Sequence, residues 1–178
     1  MFRKSSLVFF LVIISVIAIG CTKKINFTTD GPFIILKSVS GGENYYVEFY
    51  PKYIAVYGDG TARIYTEGGG EIIVGEDAPV REVQLTDDEI EEIKETIEEN
   101  QFLKLDTDIS DQRVLDGSSH YITVYTENES KEVGGYSPDD DNFDAIYSKV
   151  KGLVRDEYNE WLDDIDTYIY EVNPGPSD

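Results

Sequence analysis

The stretch from Thr86 to Asn100 can bury one face and no other. Its only large apolar side chains, Ile90, Ile93 and Ile97, recur at the 3-4 spacing of a single helical stripe. Asp87, Asp88, Glu89, Glu91, Glu92, Glu95, Glu98 and Glu99 fill the remaining faces, against Lys94 alone. A helix of this kind must lie on the surface of another layer, because nothing else would cover its stripe. Its start is marked twice: Thr86 and Glu89 have the spacing of a capping box, and Leu85 is placed to staple onto Ile90. Acids in the first turn suit the helix dipole, whereas Glu98 and Glu99 oppose it. Phe102, Leu103 and Leu105 then return the chain to a core.

The layer beneath reads as strands. Phe33-Ile34-Ile35-Leu36 is a short apolar run, and Tyr45–Tyr50 and Tyr53–Tyr57 are aromatic and branched, separated at Pro51. Gly58-Asp59-Gly60 predicts a hairpin turn into Thr61–Thr66, because such turns need positive φ. Gly68-Gly69-Gly70 predicts a second turn, into Glu71–Val74. Strands resume at His120–Thr126 and Lys131–Tyr136. A second helix is expected from Ser137 as cap and Pro138 as first helical residue. Its apolar positions, from Phe143 and Ile146 to Trp161 and Ile165, persist over about six turns, with Gly152 as the weak point. The expectation is an α+β fold: an antiparallel sheet of about six strands with two amphipathic helices packed on one face. Residues 33–170 form that single domain, and 171–178 a disordered tail.

Composition removes several classes. The 178 residues carry 15 basic and 36 acidic side chains, a formal net charge of −21. Nucleic acid is excluded as a partner, since phosphate binding rests on Lys and Arg. A single Cys leaves no disulfide framework within the chain, and a single His leaves no multi-histidine metal site.

The N-terminus carries an address. Arg3 and Lys4 precede an apolar run from Leu7 to Ile19, which ends in Ala18-Ile19-Gly20-Cys21. Thirteen helical residues reach about 20 Å, short of the roughly 30 Å hydrocarbon core, so a signal peptide fits better than a membrane span. Ala18 and Gly20 before the chain's only Cys resemble the lipobox of prokaryotic lipoproteins, with Ala18 where Leu is commonest. That resemblance implies a signal peptide over 1–20, a diacylglyceryl group on Cys21 and a polar tether over 21–32. The protein would then be exported and lipid-anchored to the membrane, with its domain on the extracytoplasmic side. Asn26-Phe27-Thr28 and Asn128-Glu129-Ser130 match the N-glycosylation acceptor pattern.

Val83-Gln84-Leu85-Thr86, the acidic helix, Gln101-Phe102-Leu103-Lys104-Leu105, and Asp116 ahead of Tyr121-Ile122-Thr123-Val124 together resemble a loose group of small exported prokaryotic domains. The similarity covers roughly residues 45–150. The group has no assigned activity, so the resemblance implies fold and export only.

Four constellations invite a chemical reading. Asp106, Asp108, Asp111 and Asp116 form an acidic loop of the kind that supplies oxygens to Ca²⁺. It departs from an EF-hand, with Asp111 at the glycine position and Gly117 where the bidentate Glu would close the site. A second acidic run, Asp139-Asp140-Asp141-Asn142 with Asp144, is explained by helix capping. His120 after Ser118 and Ser119 invites a hydrolase reading, although adjacent residues at a strand start do not build a triad. Finally, Tyr45, Tyr46, Tyr50, Tyr53, Tyr57 and Tyr65 crowd the first sheet, and alternation cannot bury them all. Exposed tyrosines on a rigid sheet make a binding surface for sugar or protein.

The leading expectation is therefore a non-catalytic envelope lipoprotein that acts as a binding or interaction module. Its partners would be basic proteins or envelope polysaccharide, met on Tyr45, Tyr53, Tyr57 and Tyr65. The alternatives are a Ca²⁺-dependent structural domain using loop 106–116, and an envelope hydrolase.

Overall fold

The computed structural model describes residues 24–39, 50–66 and 80–172. Six strands form one antiparallel sheet: β1 (Pro32–Val39), β2 (Tyr53–Tyr57), β3 (Thr61–Tyr65), β4 (Arg81–Gln84), β5 (Ser119–Tyr125) and β6 (Ser130–Tyr136), in the order β4-β3-β2-β1-β5-β6. The turn at Gly58-Asp59-Gly60 joins β2 to β3, as its residues predict. Gly60 has φ +88°, and a Cβ there would stand 2.6 Å from the Leu85 carbonyl oxygen. Asp59 Oδ1 accepts the Thr61 amide at 2.9 Å and fixes the same turn.

Strict alternation assigns the two faces of the sheet. Ile34, Leu36, Ile54, Val56, Ala62, Ile64, Ile122, Val124 and Val133 point one way and are buried. Three helices cover that face: α1 (Asp87–Glu99), α2 (Asp141–Leu153) and α3 (Arg155–Val172). Ile90, Ile93 and Ile97 of α1 are buried, so the acidic helix lies on the sheet by the stripe its sequence predicts. The capping box forms as read: Glu89 N–H donates to Thr86 Oγ1 and Thr86 N–H to Glu89 Oε2.

The second helix is corrected in two ways. Its cap is Asp140, whose Oδ1 accepts from Asn142 N and Phe143 N at 2.9 and 3.0 Å. Ser137 and Pro138 stay outside, because Pro138 bridges to Ser110 and the Asp139 amide donates to the Ile109 carbonyl. The helix also divides at Val154, two residues beyond Gly152. The break lets Phe143, Ile146 and Val150 of α2 and Trp161 and Ile165 of α3 reach one core. Among the described residues the helices thus number three rather than two, and the last extends to Val172. Arg81 of β4 pairs with Glu160 and Asp164 on α3, and its guanidinium lies over Trp161.

The domain also begins earlier than residue 33. Phe27 bridges Thr126, and its ring meets Phe33 edge-on at 5.5 Å. The Ile25 amide donates to Glu98 Oε1 at 2.7 Å, the Thr28 amide to Tyr125 O at 3.1 Å, and Asn26 O accepts from Glu127 N at 2.9 Å. Residues 24–28 are part of the folded body, where the sequence suggested a polar tether. Tyr45–Phe49 and Glu71–Val74, read as strand, lie outside the described residues.

Candidate functional site

The face of the sheet opposite the helices holds the tyrosines. Register places Tyr65, Tyr53, Lys37 and Tyr121 side by side on β3, β2, β1 and β5. Neighbours in such a row are about 4.8 Å apart, so their side chains must touch. Tyr53 and Tyr65 stack at 5.0 Å with an interplanar angle of 13°. Lys37 Nζ lies 5.9 Å from the Tyr53 ring and 5.7 Å from the Tyr121 ring, a cation between two aromatic faces. In the next row Arg63 pairs with Glu82 at 2.7 Å, and its guanidinium lies 5.2 Å over the ring of Tyr57. Thr123 Oγ1 meets Glu132 Oε2 at 3.2 Å across β5 and β6.

This packing has a chemical consequence. Rings that stack on one another stand upright from the sheet, so they offer edges and hydroxyls rather than flat faces. Ala55, between Tyr53 and Tyr57, is only 1% exposed although it points away from the three described helices. Burial and the neighbouring phenols of Tyr57, Tyr53 and Tyr125 raise the Tyr65 pKa. The hydrogen bond that Arg63 donates to Glu82 holds the Arg63 pKa above its ordinary value. Lys37 and Arg63 balance Glu82 and Glu132 on this face, in a chain whose net charge is −21. The excess acid sits elsewhere, above all on α1.

The structure brings Tyr53, Tyr57 and Tyr65 onto this surface. Tyr50 packs against the core instead, and Tyr45 lies outside the described residues, as does Cys21. Tyr121 and Tyr125 join the surface, which reasoning on the first sheet segment missed. Their alternation with Ile122 and Val124 was the available signal. The place of Tyr121 beside Lys37 depends on β1 pairing with β5, a contact between residues more than eighty positions apart.

The acidic loop is organised as a strap along β6. Gly134 donates to Thr107 O and accepts from Ile109 N, while Asp111 N donates to Tyr136 O. Asp108 Oδ1 accepts from Ser110 N and Oγ, which holds its pKa low, and Ser110 Oγ accepts the Tyr136 amide at 3.0 Å. Asp111 faces Arg113 in a two-oxygen pairing that lowers its pKa, and Arg113 also reaches Asp139 at 2.7 Å. Asp106 and Asp116 are exposed. Among the described residues no three acidic, His or Cys side chains converge in a metal-like group.

His120 borders a cleft of about 540 Å³ with Ser118, Asp111, Asp139, Asp144 and Tyr147. Ser38 Oγ and Tyr147 Oη each lie 3.2 Å from His120 Nδ1. No hydrogen bond joins the ring to Ser118 or Ser119 among the described residues, and Ser38 does not line the cleft. The arrangement satisfies a half-buried histidine. Burial, helped by Lys151 and opposed by Asp144, lowers the His120 pKa. Burial pushes Tyr147 up to about 12.

No protein-family model matches the chain, and no curated protein matches it.

Proposed function

We propose that this chain is a lipid-anchored, extracytoplasmic interaction module that binds a protein partner through the tyrosine face of its sheet. One observation carries the reading: the continuous surface of Tyr65, Tyr53, Lys37, Tyr121 and Tyr57 is aromatic and charge-balanced on an otherwise acidic protein. Tyrosine supplies a large apolar area with a polar tip at small entropic cost, which is why it concentrates at protein interfaces. Upright rings favour a protein over a polysaccharide, because a pyranose needs a flat ring face that Tyr53 and Tyr65 spend on each other. The acidic helices would steer a basic partner toward the molecule, raising its on-rate at low salt. The anchor rests on Cys21 and the basic and apolar segments before it.

The test uses a photo-crosslinking residue in the intact lipoprotein, at the exposed Arg63 on the tyrosine face or at the exposed Asp156 on α3. A discrete protein adduct from position 63, absent from position 156, is expected. Tyr53→Ala and Tyr121→Ala should each weaken it at least tenfold, as interface aromatics do on truncation, with little change in melting temperature. Equal labelling from both positions, or retention of envelope polysaccharide that both substitutions abolish, would replace this reading.

A further inference from the structure

Residues 24–28 link two parts of the molecule, and their docking restricts where the domain can stand. Their backbone is fixed at both neighbours: Ile25 N to Glu98 of α1, Asn26 O to Glu127 N, and Thr28 N to Tyr125 O of β5. Phe27 adds an apolar lock on Phe33. All of these contacts lie at one end of the sheet. Pro32 opens β1 there opposite Tyr57, the Gly58–Gly60 turn closes β2 and β3 there, and residues 126–129 close β5 and β6 there. Helix α1 belongs to the same end, since it enters from Leu85, bonded to Gly60 O, and leaves at Glu98, bonded to Ile25. Val39, Arg81, Ser119 and Tyr136 mark the opposite end.

Lys24 lies three residues after Cys21, a separation of at most about 10 Å in extended chain. A free tether of eleven residues would let the domain tumble over ~35–40 Å, whereas three residues do not. We infer that the 24–28 strap fixes this domain on the membrane in one orientation. The 58–60 and 126–129 turns and α1 stand against the lipid surface, and the Val39–Arg81 end points away. The inference rests on lipidation of Cys21, as proposed above. The partner at the lower end is the phospholipid headgroup layer. The tyrosine face, running along the strands from one end to the other, then rises from the membrane instead of lying on it, accessible to a partner beside the anchor.

Orientation is read by energy transfer from a dye on the domain to a headgroup-labelled acceptor, using the full acylated lipoprotein in phosphatidylcholine vesicles. Dyes are placed singly by Asn128→Cys at the lower end and Val80→Cys at the upper end, both exposed positions. The sites are separated by about one strand length, roughly 25 Å. Transfer at position 128 should exceed that at position 80 at least twofold. Insertion of ten Gly and Ser residues between Thr22 and Lys23 leaves the docked strap intact and should equalise the two. Equal transfer in the uninterrupted acylated protein overturns the orientation alone, and so does a difference that survives the insertion. Absence of the acyl mass on Cys21 overturns the anchor, and this inference falls with it.

Discussion

His120 illustrates how one side chain can look catalytic in sequence and structural in space. Its Nδ1 is shared by Ser38 and Tyr147, and its ring packs against Tyr147 at 5.1 Å. Burial favours the neutral imidazole, so the folded pKa lies below the ordinary histidine value of about 6.5. The unfolded chain then binds the extra proton first as pH falls. The stabilising effect of neutral His120 is complete above about pH 6.5 and is lost as pH drops toward the folded value. Lys151 strengthens this effect and Asp144 opposes it, while Ser38 and Tyr147 supply the hydroxyl contacts. The melting temperature of His120→Gln should fall less than that of the wild type between pH 7 and pH 5. An identical decline in both would assign the pH response to the carboxylates instead.

At the scale of elements, backbone and side-chain hydrogen bonds of the strap along β6 hold the acidic loop in place. Gly135 has φ +147°, and a Cβ there would meet Ser110 Oγ at 2.2 Å and Asp108 Oδ1 at 2.9 Å. Gly135→Ala should therefore cost about 1–3 kcal/mol and lower the melting temperature by several degrees. The loss should be the same in chelator and in millimolar Ca²⁺. A deficit that appears only with Ca²⁺ would make the loop a cation site.

The same elements show what could be read beforehand. The α1 stripe, its capping box, the Gly58–Gly60 turn and five of the six strands follow from local periodicity and turn chemistry, which act over a few residues. β4 escaped because Arg81-Glu82-Val83-Gln84 has one apolar residue and takes its pairing from β3. The Asp140 cap escaped because Pro138 and Asp139 are held by the strap, a contact some thirty residues away in sequence. The tyrosine residues were legible; their row was not, since register between β1 and β5 decides it.

For the whole molecule, the folded unit begins before the first strand. A chain starting at Phe33 loses the half-buried Ile25 and Phe27 and the amide bonds of Ile25 and Thr28. Relative to a chain starting at Lys24 it should be less stable by roughly 2–3 kcal/mol, most of it from apolar area returned to water. Equal denaturant midpoints for the two would mean that the docked segment adds nothing to folding.

The strap on β6 also decides how copies of this protein can meet. Lipid anchoring would confine them to two dimensions, where local concentration is high and unpaired strand edges invite sheet-to-sheet growth. Thr107, Ile109 and Asp111 already occupy hydrogen-bonding groups of Gly134 and Tyr136, so that part of the β6 border is closed. The border at β4 is four residues long and carries Arg81 and Glu82. Among the described residues, a short charged edge and a partly covered one offer little template for strand-to-strand growth between neighbouring copies.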